Sequence, residues 1–294
     1  MATVGTRSPS RTISLVLLFG SLLFFVLPAS ARADDVKKQL KFDYLDKTLT
    51  LRHFYKGEHL SFNADGSLQG SPRVGTWTVD GQFVVSGIRL RGNRLEIKGR
   101  RLYLKYDFQN KQFQDYLVVL RDYKGKDREK LEKLVRNREV EIGIDLPSAK
   151  SSGTEISSAM KAVFLPPGES MAEIVPPVWR PYFEKQEGKP PRPASSAVQF
   201  YRLGSGMSPP HETYAPEPEY SEEARYLKAQ GTVVLAVIIE PTGTTRDIQI
   251  VTPIGLGLDE KAVAAVSTWK FDPAEKGGEP VPVMVNIEVT FHLY

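Results

Sequence analysis

The chain has 294 residues, 41% hydrophobic and 25% charged, which is enough for two modest cores. A net charge of +4 is too small to point to nucleic acid, and the absence of cysteine excludes disulfides, a thiol nucleophile and thiolate metal ligands. Stability must come from packing and strand pairing.

Arg7 and Arg11 precede an apolar run, Ile13 to Leu27, followed by Pro28 and the small-x-small triplet Ala31-Arg32-Ala33. This is the form of an export signal over residues 1–33, with maturation near Asp34 and a periplasmic destination. The competing reading is an uncleaved inner-membrane anchor facing the periplasm. The run is short for a membrane span and holds no ionisable residue.

Residues 34–185 read as a β-rich envelope domain, because turn signals recur at Asp65-Gly66, Asp80-Gly81, Gly92-Asn93 and Gly99. The expected strands are Thr48–Tyr55, Gly75–Val79, Gln82–Leu90, Arg94–Lys98, Arg101–Tyr106 and Tyr116–Leu120. They suggest an all-β meander curling into a partial barrel or small sandwich, with short helices. A helix carrying Leu131, Leu134 and Val135 then precedes an alternating strand through Val140, Ile142 and Ile144. Arg89, Arg91, Arg94, Lys98, Arg100, Arg101 and Lys105 fall on adjacent strands with Glu96 to offset them. They form either an anionic-surface site for lipid headgroups or a cell-wall polymer, or a solvated face that keeps a sheet soluble. Tyr103, Tyr106, Phe108, Phe113 and Tyr116 suit core packing better than a pocket. His53, His59, His211 and His292 lack metal-ligand spacing, so no metal and no other cofactor is expected.

From Pro147 to about Phe183, Met160, Val163, Phe164, Ile174, Val178, Trp179, Tyr182 and Phe183 are too many large apolar residues for a free linker, and predict short helices docked on the first domain. Residues 186–210 are the spacer, with Pro190, Pro191 and Pro193. In polyproline geometry even twenty such residues reach only about 60 Å.

Residues 211–294 read as an α+β module of two helices on a three-stranded antiparallel sheet. A short helix covers Ser221–Ala229, ended by Gly231. Thr232–Glu240 and Thr245–Val251 form a hairpin around Pro241-Thr242-Gly243. A second helix, Leu258–Phe271, gathers Leu258, Ala262, Ala265, Val266 and Trp269 on one face, with Asp259 and Glu260 in its first turn suiting the helix dipole. Pro273 helps to stop it. In the last strand, Val281, Val283, Val285, Ile287, Val289 and Phe291 alternate with Pro282, Met284, Asn286, Glu288, Thr290 and His292, as in a strand buried on one side.

Catalysis finds no support in these motifs. Gly255-x-Gly257 carries Glu260 where a phosphate loop has its third glycine, and Gly204-Ser205-Gly206 lacks a strand-turn-helix context. The pairs Glu222-Glu223 and Asp259-Glu260 are adjacent on helices and diverge.

Tyr220, Ala224-Arg225, Gln230-Gly231-Thr232-Val233-Val234, Gly257-Leu258-Asp259, Ala262, Ala265-Val266, Trp269-Lys270-Phe271 and Pro273-Ala274, taken together and in order, resemble the TonB C-terminal domain. One departure is Ser221, where the family has proline; serine there can cap the helix. The resemblance implies a periplasmic, non-enzymatic domain that pairs its last strand with an extended segment of an outer-membrane transporter and transmits force from an inner-membrane motor. It places the partner-binding backbone on Val283, Met284, Val285, Asn286, Ile287, Glu288, Val289, Thr290 and Phe291. The alternatives are that the chain itself or a second copy of the module covers this edge, or that the β domain binds lipid or polymer while the module dimerises. Two further departures weigh against a tethered transducer: the anchors resembled carry an intramembrane histidine, and their proline-rich spacer is much longer.

Overall fold

A computed structural model describes residues 33–116, 138–190, 200–204 and 206–293. The apolar run Ile13–Leu27, the helix expected around Leu131, the strand residues beyond Tyr116, and Pro191 with Pro193 lie outside the described residues.

The amino-terminal half is built on a six-stranded mixed sheet of β1 (Thr48–Thr50), β2 (His59–Asn63), β3 (Leu68–Gln69), β4 (Gln82–Arg91), β5 (Arg94–Arg101) and β8 (Glu139–Asp145), in the order β1-β4-β5-β8-β2-β3. The long β4–β5 hairpin turns at Gly92, whose φ of 57° suits a residue without Cβ. β8 pairs antiparallel with β5 and parallel with β2, so the expected meander and partial barrel are replaced by an open sheet with a crossover. β6 (Leu104–Asp107) and β7 (Gln112–Asp115) form a separate ladder.

Helices cover this sheet, so the half is not all-β. α1 (Ala33–Tyr44) lays Val36, Leu40 and Tyr44 on β4. α3 (Gly153–Val163) starts with a capping box between Ser152 and Glu155 and buries Ile156, Ala159, Met160 and Val163. The strand expected over Gly75–Val79 is instead one helical turn, α2 (Trp77–Asp80). Two contacts hold it: the Asp80 carboxylate accepts the Thr76 N–H at 3.1 Å, and a buried Arg101 guanidinium from β5 holds Asp80 at 3.2 Å. The strand expected from Thr48 to Tyr55 ends at Thr50, and the one expected from Arg101 begins at Leu104.

The carboxy-terminal half contains α5 (Glu222–Tyr226), β12 (Gly231–Ile239), β13 (Thr245–Thr252), α6 (Leu258–Val266) and β17 (Val283–Phe291). Ser221 caps α5, its Oγ accepting the Ala224 N–H at 3.0 Å. β13, β12 and β17 are antiparallel neighbours, and the short β9 (Tyr201–Arg202) joins β17 in parallel. α6 stops before Trp269 because the hydroxyls of Ser267 and Thr268 donate to the carbonyls of Ala264 and Ala265. The chain then forms β14 (Lys270–Asp272), paired with β11 (His211–Tyr214). β15 (Ala274–Lys276) and β16 (Glu279–Val281) make a hairpin on which β10 (Met207–Ser208) also pairs. Thus residues 201–202 and 207–208, expected within the spacer, are woven into the carboxy-terminal sheets.

One hydrophobic core runs through both halves. The 3-10 turn Pro177–Trp179 and the helix α4 (Arg180–Gln186), expected on the first domain alone, also pack against β13. Trp77, Tyr106, Phe113, Trp179, Tyr182 and Phe183 meet edge to face at this junction, with centroid distances such as 4.6 Å for Trp77–Phe113 and 5.3 Å for Trp77–Trp179. Tyr103, Tyr106, Phe113 and Tyr116 are therefore packing residues, while Phe108 is exposed.

Candidate functional site

The last strand has the one-sided burial that its alternation predicts. Val283, Ile287, Val289 and Phe291 are buried, and Asn286, Glu288 and Thr290 are exposed. Its inner side is fully paired with β12, from Gly231 opposite Phe291 to Ile239 opposite Val283. On the outer side the Tyr201 N–H donates to the Pro282 carbonyl at 2.8 Å, so Pro282 faces away from β12. Strand alternation gives Met284, Asn286, Glu288 and Thr290 the same outward phase. β9 occupies this side at Val283 and Met284. Beyond Met284 no strand pairs with it among the described residues, which leaves the N–H and C=O groups of Asn286, Glu288 and Thr290 as the open rim.

The opposite end of the sheet is engaged by the rest of the chain. Leading into α6, Gly255 (φ 92°) and Gly257 (φ 73°) bend the backbone sharply. Both carboxylate oxygens of the fully buried Asp259 fold back to accept the Ile254 and Gly255 N–H groups at 2.8 Å. The amides a phosphate loop would offer are thus filled by this side chain. Glu260 does not diverge into solvent: its Oε1 accepts the Trp179 indole N–H at 2.9 Å, and its Oε2 is enclosed with no hydrogen-bond partner. Burial pushes both carboxyl groups above their ordinary range, with the neighbouring Asp259 charge adding to the rise at Glu260. Tyr106 N–H to Ile254 O at 2.7 Å, Leu256 N–H to Leu104 O at 2.9 Å and Gly257 N–H to Thr78 Oγ1 at 3.0 Å tie the loop to the amino-terminal half.

The family described as the Gram-negative bacterial TonB protein C-terminal matches residues 216–293. Residues 216–293 form a TonB C-terminal domain. This stretch is similar to protein tonB2 of Pseudomonas aeruginosa, 35% identical over 79 residues, covering 26% of this chain and 29% of that protein. It is similar also to protein TonB of Vibrio cholerae, 31% identical over 78 residues, covering 26% of this chain and 32% of that protein. The chain therefore spans about a third or less of the curated relatives it matches. The solution NMR structure of the Pseudomonas aeruginosa TonB CTD aligns at 20% identity and a TM-score of 0.25, over 33% of this chain and 99% of that one.

Outside the TonB C-terminal domain, the basic residues read from the sequence are individually engaged. Arg89 and Arg91 share Glu96 at 2.6 and 3.6 Å, Arg94 holds Asp145 at 2.5 Å, and Lys98 pairs with Glu141. Arg100 reaches Asp115 at 3.4 Å, Arg101 is buried on Asp80, and Lys105 lies over the Tyr116 ring at 4.7 Å. Glu96 is thus not the only offset, and Asp80, Asp115, Glu141 and Asp145 neutralise much of this face. His59 Nδ1 lies 3.2 Å from Glu141. Among the described residues no group of three or more His, Asp or Glu is placed to hold a metal ion. Sequence reading missed the Trp179–Glu260 contact, whose partners are far apart in the chain, and the Asp259 clamp, whose one signal was the glycine pair before it.

Proposed function

We propose that this protein is a non-enzymatic periplasmic TonB-like protein that binds an extended segment of an outer-membrane transporter, or of another envelope partner, by strand addition along β17. The observation that supports this is the open rim at Asn286, Glu288 and Thr290 in a stretch that matches the TonB C-terminal family, whose resemblance implies pairing of the last strand with a transporter segment. Three outward residues offer at most six backbone hydrogen bonds, roughly 3–9 kcal/mol at about 0.5–1.5 each. Ordering about five guest residues costs about 1–2 kcal/mol apiece. The two nearly cancel, so affinity rests on side chains and the contact is transient, as suits a partner that must be released.

Proline at position 286 removes one outward N–H without touching the β12 ladder, so Asn286→Pro is expected to keep the fold and weaken capture of a transporter-derived extended peptide about two- to twelvefold. Unchanged affinity in a titration would exclude this strand as the site. Export is tested separately by amino-terminal sequencing of the protein from the envelope: a start at Asp34 supports a free periplasmic adaptor, and retention of Ile13–Leu27 supports an inner-membrane anchor. Among the described residues no helix is long and apolar enough to cross a membrane.

A further inference from the structure

The acids on β5 and β8 of the amino-terminal sheet each stand directly opposite a cation on the neighbouring strand: Glu96 faces Arg89, Glu139 faces Arg100, Glu141 faces Lys98 and Asp145 faces Arg94. Glu288, at the middle of the open rim of β17, has no such neighbour. On its inner side it faces Val234, and its exposed carboxylate takes no hydrogen bond or ion pair among the described residues. Met284 to Thr290 on β17 and Thr232 to Ile238 on β12 hold no other ionisable side chain. The hydroxyl of Thr290 is already engaged by that of Thr232 at 3.1 Å. Past the rim, Glu217 and Arg225 line a hollow with Thr290 and His292, and their opposite signs leave the charge of the rim to Glu288.

We infer that the strand added at this rim carries a lysine or arginine opposite Glu288, so that the guest is a basic extended segment of another protein and not a second copy of this chain. The inference rests on strand addition along β17. A guest residue opposite Glu288 stands roughly 4.5–5.5 Å away, Cβ to Cβ, where an opposite charge stabilises the pair and a like charge destabilises it. Backbone pairing along so short a rim is nearly offset by the ordering of the guest, so side-chain pairs decide between guests. A second copy fits poorly. In an antiparallel two-fold pairing, outward residues meet outward residues, and the register that uses the whole rim of both copies sets Asn286 opposite Thr290 and Glu288 opposite Glu288.

The probes are three synthetic nine-residue peptides that alternate threonine and valine and differ only at the central position, which is lysine, glutamine or glutamate. Anisotropy titrations with the full chain at low ionic strength are expected to rank them in that order, with about two- to tenfold between the lysine and glutamate peptides. Higher salt should narrow the gap. Glu288→Gln is expected to remove the preference and Glu288→Lys to reverse it; the side chain is exposed, so both variants should fold. Equal affinity for the three peptides, or an order that survives Glu288→Lys, would overturn the inference while leaving strand addition standing, provided that Asn286→Pro weakens all three alike. Binding of none of them would remove strand addition and the inference together. A chain that sediments as a dimer and excludes the peptides would assign the rim to a second copy.

Discussion

The two strands that flank β12 in the carboxy-terminal sheet, β13 and β17, are treated in opposite ways. β13 has Pro177–Trp179 and α4 packed against it, and the loop beyond it is stitched by backbone hydrogen bonds to the amino-terminal half. β17 is closed only at Val283 and Met284, and its rim is bare from Asn286 onward among the described residues. An exposed edge invites unwanted pairing, and proteins usually blunt it. Here the added domain packs against β13 and ties down the loop that follows it, while β17 keeps a rim three outward residues long.

Proline substitutions sharpen this contrast most. Ile287 has the inward phase opposite Leu235, so Ile287→Pro removes a ladder hydrogen bond and buried packing together; a loss of about 3 kcal/mol or more is expected in denaturant titration. Asn286→Pro, one residue away, is expected to change stability little. Equal loss in the two variants would show that the assigned phase is wrong. At the closed end, a Cβ on Gly255 would stand 2.2 Å from the Leu104 carbonyl oxygen, and its φ of 92° disfavours any side chain. Gly255→Val is expected to cost about 2–3 kcal/mol and to increase proteolysis between the halves, while the β17 rim keeps its peptide affinity.

The open end was far more legible in the sequence than the closed one. Alternation in the last strand, the hairpin around Gly243 and the serine cap at Ser221 are local patterns, and each has the expected form. The closed end depends on contacts between distant residues, such as Trp179 with Glu260 and Thr78 with Gly257, which leave no periodic trace. The same limit explains the amino-terminal half. Hairpin strands β4 and β5 could be read from turn chemistry, but the parallel β2–β8 pairing could not. The helical turn at Trp77 depends on an Asp80–Arg101 contact that β propensity does not encode.

Glu260 sets a smaller but directional effect at the closed end. Its carboxyl group is raised above the ordinary value of 4.5 by burial and by Asp259, so the folded state holds a proton that the unfolded state releases. Its contribution is therefore most favourable below pH ~4.5 and declines as pH rises toward the raised folded value. Glu260→Gln keeps an acceptor for the Trp179 N–H and removes the charge. It is expected to stabilise the protein at neutral and mildly alkaline pH by about 1–3 kcal/mol and to flatten the decline of melting temperature with pH. A parallel decline in both proteins would place the titration elsewhere.

The smallest effect concerns the partial cover on the open strand. Tyr201 donates its N–H to Pro282, and Lys276 lies over its ring at 4.4 Å, so β9 is a two-residue stub held by few contacts. After Arg202 the chain leaves the rim, reaching Gly206 at φ 82° before β10 pairs with β15. Tyr201→Pro deletes the donor and is expected to release Met284, lengthening the rim by one outward residue. At roughly 0.5–1 kcal/mol for the added pairing, peptide affinity should rise about two- to fivefold. A fall in affinity would instead make β9 part of the surface that receives the guest, and the rim would then begin at Tyr201 rather than at Asn286.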